Sequence, residues 1–207
     1  MILKNLVHNN IGRRILTSVV FFYLLFFSTV ILSYLLLPEG FLKGKNSILD
    51  FKTSLNVWIQ AFQIFAFNCI SVLLLILANL FAGEKHDGFY LPYGYLGLGV
   101  QLLLNGITLG TWSFTTVSES APSLADRLLR TFDIFHRAGL WEMTGQLLIV
   151  TATAGIALVR IKGKTAEAGK PADSGLSLKE VLTALTGLLF MVLGAVIESF
   201  AILSESV

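Results

Sequence analysis

The chain has 207 residues, of which 55% are hydrophobic and only 14% charged, and its mean hydropathy is +0.76. Soluble domains carry about 25% charged residues, so this composition excludes an ordinary soluble protein and requires a lipid environment. The formal net charge of +2 is too small to indicate nucleic-acid binding. A single cysteine, Cys69, excludes an internal disulfide and a cysteine-based zinc site.

Five apolar stretches are long enough to cross a bilayer, which takes about 20 residues in a helix. They cover residues of about 15–37, 57–82, 93–117, 139–159 and 178–203. The first follows a short basic segment that carries Lys4, Arg13 and Arg14. We therefore predict an all-α fold, a multi-pass transmembrane helix bundle of about five spans that forms a single integral membrane domain.

The segments between the spans contain weaker helix signals. Leucine and phenylalanine recur at helical spacing over about 123–136, after a cap-like pair formed by Ser123 and Asp126. This pattern predicts an amphipathic helix on the outer interface. Residues 160–177 are polar and predict a cytoplasmic loop, after which Ser177 and Glu180 cap the last span.

Basic residues set the orientation of such a bundle, because lysine and arginine concentrate on the cytoplasmic side. The amino-terminal segment and the 160–177 loop are rich in them, whereas the tail after Glu198 has none. We therefore predict a protein of the cell membrane with its amino terminus in the cytoplasm and its carboxyl terminus outside.

Several polar residues lie within the predicted spans, where an ionisable side chain costs roughly 2.5–3.5 kcal/mol and therefore faces protein or water. Glu142 is early in the fourth span and Glu198 late in the fifth, which places both in the outer half of the bilayer. The predicted intramembrane polar cluster, with His136 at its outer mouth, consists of Asn68, Asn105, Glu142, Gln146 and Glu198. It either carries protons, a cation or a substrate path, or it hydrogen-bonds the helices together.

Glycines on the same spans indicate close helix packing, because lipid gives apolar helices no hydrophobic reason to associate and small residues let backbones approach. Gly106 and Gly110 form a G-x-x-x-G step in the third span. The predicted packing positions are Gly106, Gly110, Gly139, Gly155 and Gly194.

The sequence lacks the common motifs of enzyme active sites. The sequence has no H-E-x-x-H helix, no G-x-S-x-G elbow and no Walker-type phosphate loop. His136 and Glu142 would lie about 120° apart on a continuous helix, which is poor geometry for a shared ion. We predict a non-enzymatic protein without metal or cofactor.

The order of these motifs resembles the stage II sporulation protein M family of membrane proteins. That family has an asparagine-bearing span, an Asn-Gly-x-x-x-Gly-like step, a Gly-x-x-Glu motif and a final Ile-Glu-aromatic ending. The matching positions, over residues of about 60 to 202, are Asn68, Asn105 to Gly110, Gly139 to Glu142 and Ile197 to Phe200. The family histidine that precedes the Gly-x-x-Glu motif is replaced here by Ala138, with His136 two residues earlier.

This resemblance implies a membrane scaffold or assembly subunit that organises partner proteins at the cell envelope, as a homo- or hetero-oligomer. The alternative that it implies is a membrane subunit of an export or transport system, including bacteriocin export and immunity, with an ABC ATPase as partner. The lipid bilayer is the expected environment in both cases, and no nucleic acid is expected.

Overall fold

A computed structural model gives the architecture of the chain and describes residues 2–43, 54–85, 88–113, 123, 125–126, 129, 132, 139–168 and 175–205. It is mostly helical, with a small sheet in addition. In chain order, the elements are α1 (Ile2–Asn5), α2 (Ile11–Leu36), α3 (Val57–Asn79), β1 (Phe81–Glu84), β2 (Tyr90–Pro92), α4 (Tyr93–Gly110), α5 (Leu140–Ala152), a 3-10 turn (Thr153–Gly155), β3 (Val159–Lys162), β4 (Thr165–Ala168) and α6 (Leu178–Glu205).

Three of the helices are long and apolar enough to cross a membrane: Ile11–Leu36, Val57–Asn79 and Leu178–Leu203. Asparagine side chains cap the first two, since Asn10 accepts from Arg13 N and Asn56 accepts from Trp58 N. Only 22%, 17% and 22% of the residues in their most apolar windows are buried. Exposed apolar surface on this scale is what a lipid-facing helix requires, so the chain has the character of a membrane protein.

The other two long helices differ from the five-span expectation. Helix α4 has 18 residues and α5 has 13, which correspond to about 27 Å and about 20 Å against a hydrocarbon core of about 30 Å. Helix α5 is also the most enclosed element, since Met143 and every residue from Gly145 to Ala152 are buried. Five spans are therefore not established by helix length, and α5 is an interior helix surrounded by the others.

A four-stranded sheet in the order β2-β1-β3-β4 corrects the all-α prediction. β1 pairs antiparallel with β2 and parallel with β3, which pairs antiparallel with β4. Consequently, the predicted spans 57–82 and 139–159 were too long at their ends, and part of the predicted 160–177 loop is a hairpin. The predicted span 93–117 was also too long, since α4 ends at Gly110 and a turn follows. The hairpin turn contains Gly163 at φ 58°, a conformation that glycine adopts without steric cost. Periodicity alone cannot distinguish such short strands from helix at the ends of long apolar runs, so the sequence did not predict them.

One end of every long helix lies at the sheet, so helices that are consecutive in the chain alternate in direction. Helices α3 and α5 run toward the sheet, whereas α4 starts directly after β2 and α6 starts after the β3–β4 hairpin. At the opposite end, Gly40 N donates to Thr111 O over 2.7 Å and Leu42 N donates to Ser113 Oγ over 3.0 Å. The two ends of the bundle are called the sheet end and the loop end below.

Most of the predicted interfacial helix at 123–136 lies outside the described residues, as does His136. At its start, Asp126 N donates to Ser123 Oγ over 3.3 Å, which confirms the predicted cap. The second predicted cap is also confirmed, because Ser177 N donates to Glu180 Oε2 over 2.9 Å and Glu180 N donates to Ser177 Oγ.

Candidate functional site

The register between α3 and α5 is fixed near the sheet end by one buried asparagine. Asn79 Nδ2 donates to Val150 O over 2.9 Å and to Thr153 Oγ1 over 2.8 Å. Asn68 lies about three helical turns before Asn79, and Glu142 lies about three turns before Thr153. Since both helices run toward the sheet, the same two faces meet again about 16 Å further along, at Asn68 and Glu142.

A continuous series of side-chain hydrogen bonds crosses the middle of the bundle and links α4, α5 and α3. Gln101 Nε2 donates to Gln146 Oε1 over 2.8 Å, and Gln146 Nε2 donates to Asn68 Oδ1 over 3.3 Å. Asn68 Nδ2 in turn donates to Glu142 Oε1 over 2.5 Å. Glu198 of α6 lies beside Glu142, one helical turn after Gly194, which packs against Glu142. The polar chain, as these five residues are called below, thus includes side chains from α3, α4, α5 and α6.

The contact between the two carboxyl groups has a chemical consequence. Two ionised carboxylates at close range repel each other, which favours a proton on one of the two groups. The pair Glu142 and Glu198 is therefore expected to carry one negative charge, with the Asn68 amide as a donor to Glu142. A single shared charge is far less costly at this depth than two separate ones.

Glycines bring α5 and α6 close enough for this contact. A Cβ atom on Gly194 would lie 2.7 Å from Glu142 Cγ, so the acid of α5 lies directly on the α6 backbone one turn before Glu198. Further along, a Cβ on Gly145 would lie 2.5 Å from Gly187 O, and a Cβ on Gly187 would lie 2.6 Å from Gly145 O. The crossing of α5 and α6 at Gly145 and Gly187 is therefore a backbone-to-backbone contact.

The G-x-x-x-G step of α4 packs against α2. A Cβ on Gly106 would lie 2.9 Å from Thr29 Cβ, and a Cβ on Gly110 would overlap Ser33 Oγ and Val30 O. Ser33 Oγ donates to Gly106 O over 3.3 Å. Gly155, by contrast, is exposed at the end of the 3-10 turn, where a Cβ would come no closer than 3.9 Å to another atom, and Gly139 is half-buried at the start of α5. The packing role expected for Gly155 is thus not seen.

The structure brings together four of the five residues of the predicted polar cluster and places Asn105 outside it. Asn105 is exposed on α4, and Gln101, one turn earlier, takes its place. The sequence contained a signal for Gln101, since residues four apart share a helix face. That signal did not indicate which of the two amides faces α5, because the crossing of α4 over α5 decides it.

Across the described ranges, no three side chains of His, Cys, Asp or Glu converge as a metal site would require. The polar chain consists of amide and carboxyl groups, and its amides hydrogen-bond to one another and to Glu142. Such a chain can hold four helices in one register, and its carboxyl pair can hold one proton.

Comparison with known proteins gives no relative: no family model, no curated protein and no solved structure matches this chain.

Proposed function

We propose that this chain is a five-span membrane protein that serves as a non-enzymatic scaffold or assembly subunit of the stage II sporulation protein M type. The observation that carries the proposal is the polar chain. Its amides hydrogen-bond to one another and to Glu142, which ties α3, α4 and α5 together, and Glu142 packs directly on α6 at Gly194. A fixed bundle with exposed apolar flanks provides a platform on which partner membrane proteins assemble.

The way in which the two ends are built supports five crossings. Strand β2 leads directly into α4, whose last turn reaches the loop-end contact between Thr111 and Gly40. Helix α5 returns from the loop end to the sheet. If α2, α3 and α6 cross the bilayer, α4 and α5 connect the same two ends and cross with them. The interior position of α5 permits its short length, since irregular backbone at membrane depth is tolerated where protein surrounds it.

The orientation in this proposal has the sheet end in the cytoplasm of a cell-membrane protein. Arg14, Arg160 and Lys162 lie at the sheet end, where the positive-inside rule puts basic residues on the cytoplasmic side. The end of α6 then lies outside.

Labelling with a membrane-impermeant maleimide tests both the span number and the orientation. The background is Cys69→Ser, and the single reporters are Lys164→Cys, in the β3–β4 turn, and Ser123→Cys, between α4 and α5. With five spans, intact cells label only the Ser123→Cys reporter, and Lys164→Cys reacts after lysis. Labelling of neither reporter in intact cells would favour three spans, with α4 and α5 not crossing.

A transport subunit is the second candidate, favoured by the closeness of the carboxyl groups of Glu142 and Glu198, which together can hold one proton. A movable proton at mid-depth is what a coupled transporter uses. Affinity purification of the full chain in mild detergent separates the two functions, since envelope hydrolases as partners support a scaffold and an ABC ATPase supports transport. The paired variant Glu142→Gln with Glu198→Gln sharpens the test. A scaffold retains its partners in this variant, whereas proton-coupled transport is abolished.

A further inference from the structure

A cavity of about 490 Å³ lies at the sheet end, separate from the polar chain. Its wall includes Arg14 from the first turn of α2, Tyr90 of β2, Arg160 of β3 and Glu180 from the first turn of α6. Apolar side chains such as Phe89 complete the wall. The cavity therefore combines two guanidinium groups and one carboxylate with an apolar surface, at the level where the helices leave the bundle.

Arg14 is buried, with 4% of its surface exposed. One of its terminal nitrogens, Nη2, donates to Glu180 Oε1 over 2.5 Å, and its Nε is buried without a hydrogen-bond partner. Glu180 is further satisfied by Ser177 N and Ser177 Oγ, at 2.9 and 2.8 Å. The carboxylate is thus fully engaged, whereas the guanidinium retains unused donors.

Arg160 has fewer hydrogen-bond acceptors near its guanidinium group than Arg14 has. Its guanidinium carbon lies 5.1 Å from the centroid of the Tyr90 ring, which holds the planar group by a cation–π contact. Its Nε is buried without a partner, and among the described residues its guanidinium has no acceptor for a hydrogen bond or ion pair. Buried donors are nearly always satisfied, so two arginines with unused donors on one cavity indicate that an anion belongs there.

We propose that this cavity binds a phosphate group, as a phosphomonoester or phosphodiester, between Arg14 and Arg160. A guanidinium offers a planar fork of donors that matches phosphate oxygens in bidentate fashion. A tetrahedral phosphate has enough oxygens to accept from both arginines at once, which a single carboxylate does less readily. Two cations against one carboxylate leave the cavity with a net charge of about +1 to attract the anion.

The phosphate has two available sources. One is the headgroup of a phospholipid, whose acyl chains would follow the apolar outer surfaces of α2 and α6 that begin at this level. The other is a soluble phosphate compound, which would enter from the aqueous side of the sheet. Phosphate binding at this cavity is compatible with either a scaffold or a transport function, because it involves only the sheet end.

Binding measurements on the full-length chain, purified in a phosphate-free maltoside detergent, test the proposal. The probes are inorganic phosphate, phosphatidylglycerol and a galactosyl diacylglycerol that has the same acyl chains but no phosphate. Melting temperature and native mass spectrometry report binding. Stabilisation by phosphatidylglycerol but not by the galactolipid identifies a lipid source, and stabilisation by inorganic phosphate identifies a soluble one. If neither phosphate probe binds, the proposal fails.

Variants test whether the arginines are responsible. Arg160→Gln should weaken binding of the active probe about tenfold, since a charge-assisted hydrogen bond contributes enough for such a factor. Lys164→Gln, which removes one exposed cation from the neighbouring turn, is the matched control and should retain binding. Arg160→Lys keeps the charge and should lie between the two, so it reports on the site even if Arg160→Gln folds poorly. Equal binding by Arg160→Gln and Lys164→Gln would overturn the proposal.

Discussion

The middle of the bundle and its sheet end contain polar groups that are satisfied in different ways. In the polar chain, neutral amides and the carboxyl group of Glu142 are hydrogen-bonded to one another across α3, α4 and α5, with Glu198 of α6 beside them. At the sheet end, by contrast, charges remain: Arg14 and Glu180 form an ion pair, and Arg160 lies over an aromatic ring. The difference follows the cost of charge, which is highest at mid-depth and falls toward the interface, where long basic side chains reach water.

The two regions are stabilised in two different ways, by an ion pair at the sheet end and by neutral hydrogen bonds in the polar chain. An ion pair whose side chains are 5% and 17% exposed depends on both partners, since removal of one leaves an uncompensated buried charge. A chain of neutral hydrogen bonds is more tolerant, because interhelical bonds in membranes average about 0.6 kcal/mol each. We therefore expect the sheet end to be more sensitive to single substitutions than the polar chain.

The largest effect is expected for Arg14→Gln. This change leaves the partly buried Glu180 without its cation and removes a charge-assisted hydrogen bond, which costs about 1.5–3 kcal/mol. Arg13→Gln, next to it but exposed, should cost little. Thermal unfolding in detergent, followed by size-exclusion chromatography, measures both. The double variant Arg14→Gln with Glu180→Gln should recover much of the loss, and no recovery would show that the pair is not the cause.

Gly145→Val comes next, because its side chain would overlap Gly187 O and push α5 away from α6. Overpacking typically costs about 1–3 kcal/mol, and here it would also separate Glu142 from Glu198. Gly155→Val is the matched control, since a Cβ at that position meets nothing closer than 3.9 Å. The melting temperatures of the two variants in detergent test this, and equal losses would contradict the close crossing.

Asn68→Leu tests the polar chain itself. It removes the donor to Glu142 and the acceptor from Gln146, and we expect a loss of about 1 kcal/mol from these two bonds. Asn105→Leu makes the same chemical change on the exposed side of α4 and should be neutral. Denaturation with a mixed-detergent titration compares the two. A neutral Asn68→Leu would mean that the polar chain does not hold the helices together.

The smallest effect is expected for Lys162→Met, at the sheet edge. A hydrogen bond and attraction from Glu84, 3.3 Å away, raise the pKa of this exposed lysine. Because the pKa of Lys162 is raised in the folded state, the stabilisation that its pair with Glu84 provides is fully present at neutral pH. It is lost as the pH rises through that pKa. Because the pair is solvent-exposed, melting temperatures of wild type and variant should agree at neutral pH. A large difference there would show that the pair is better shielded than its exposure indicates.

Much of the bundle could be predicted from periodicity and composition. The start of each long helix was close to its predicted position, and Glu142 and Glu198 were expected at a common depth, in one polar cluster with Asn68 and Gln146. What could not be predicted was which helix packs against each helix face. Arg14 was assigned only to topology and Glu180 only to a helix cap, yet they form one ion pair from the two ends of the sequence.

The sequence by itself determined that this is a helical membrane protein, because apolar length and the scarcity of charge require lipid whatever the packing. It also determined which side chains share a stripe, since 3.6 residues per turn fixes that locally. Only the tertiary structure decided that a four-stranded sheet closes one end, that Gln101 rather than Asn105 joins the polar chain, and that two arginines face one cavity. These features depend on how helices cross and where distant ends meet, and no local pattern in the chain encodes them.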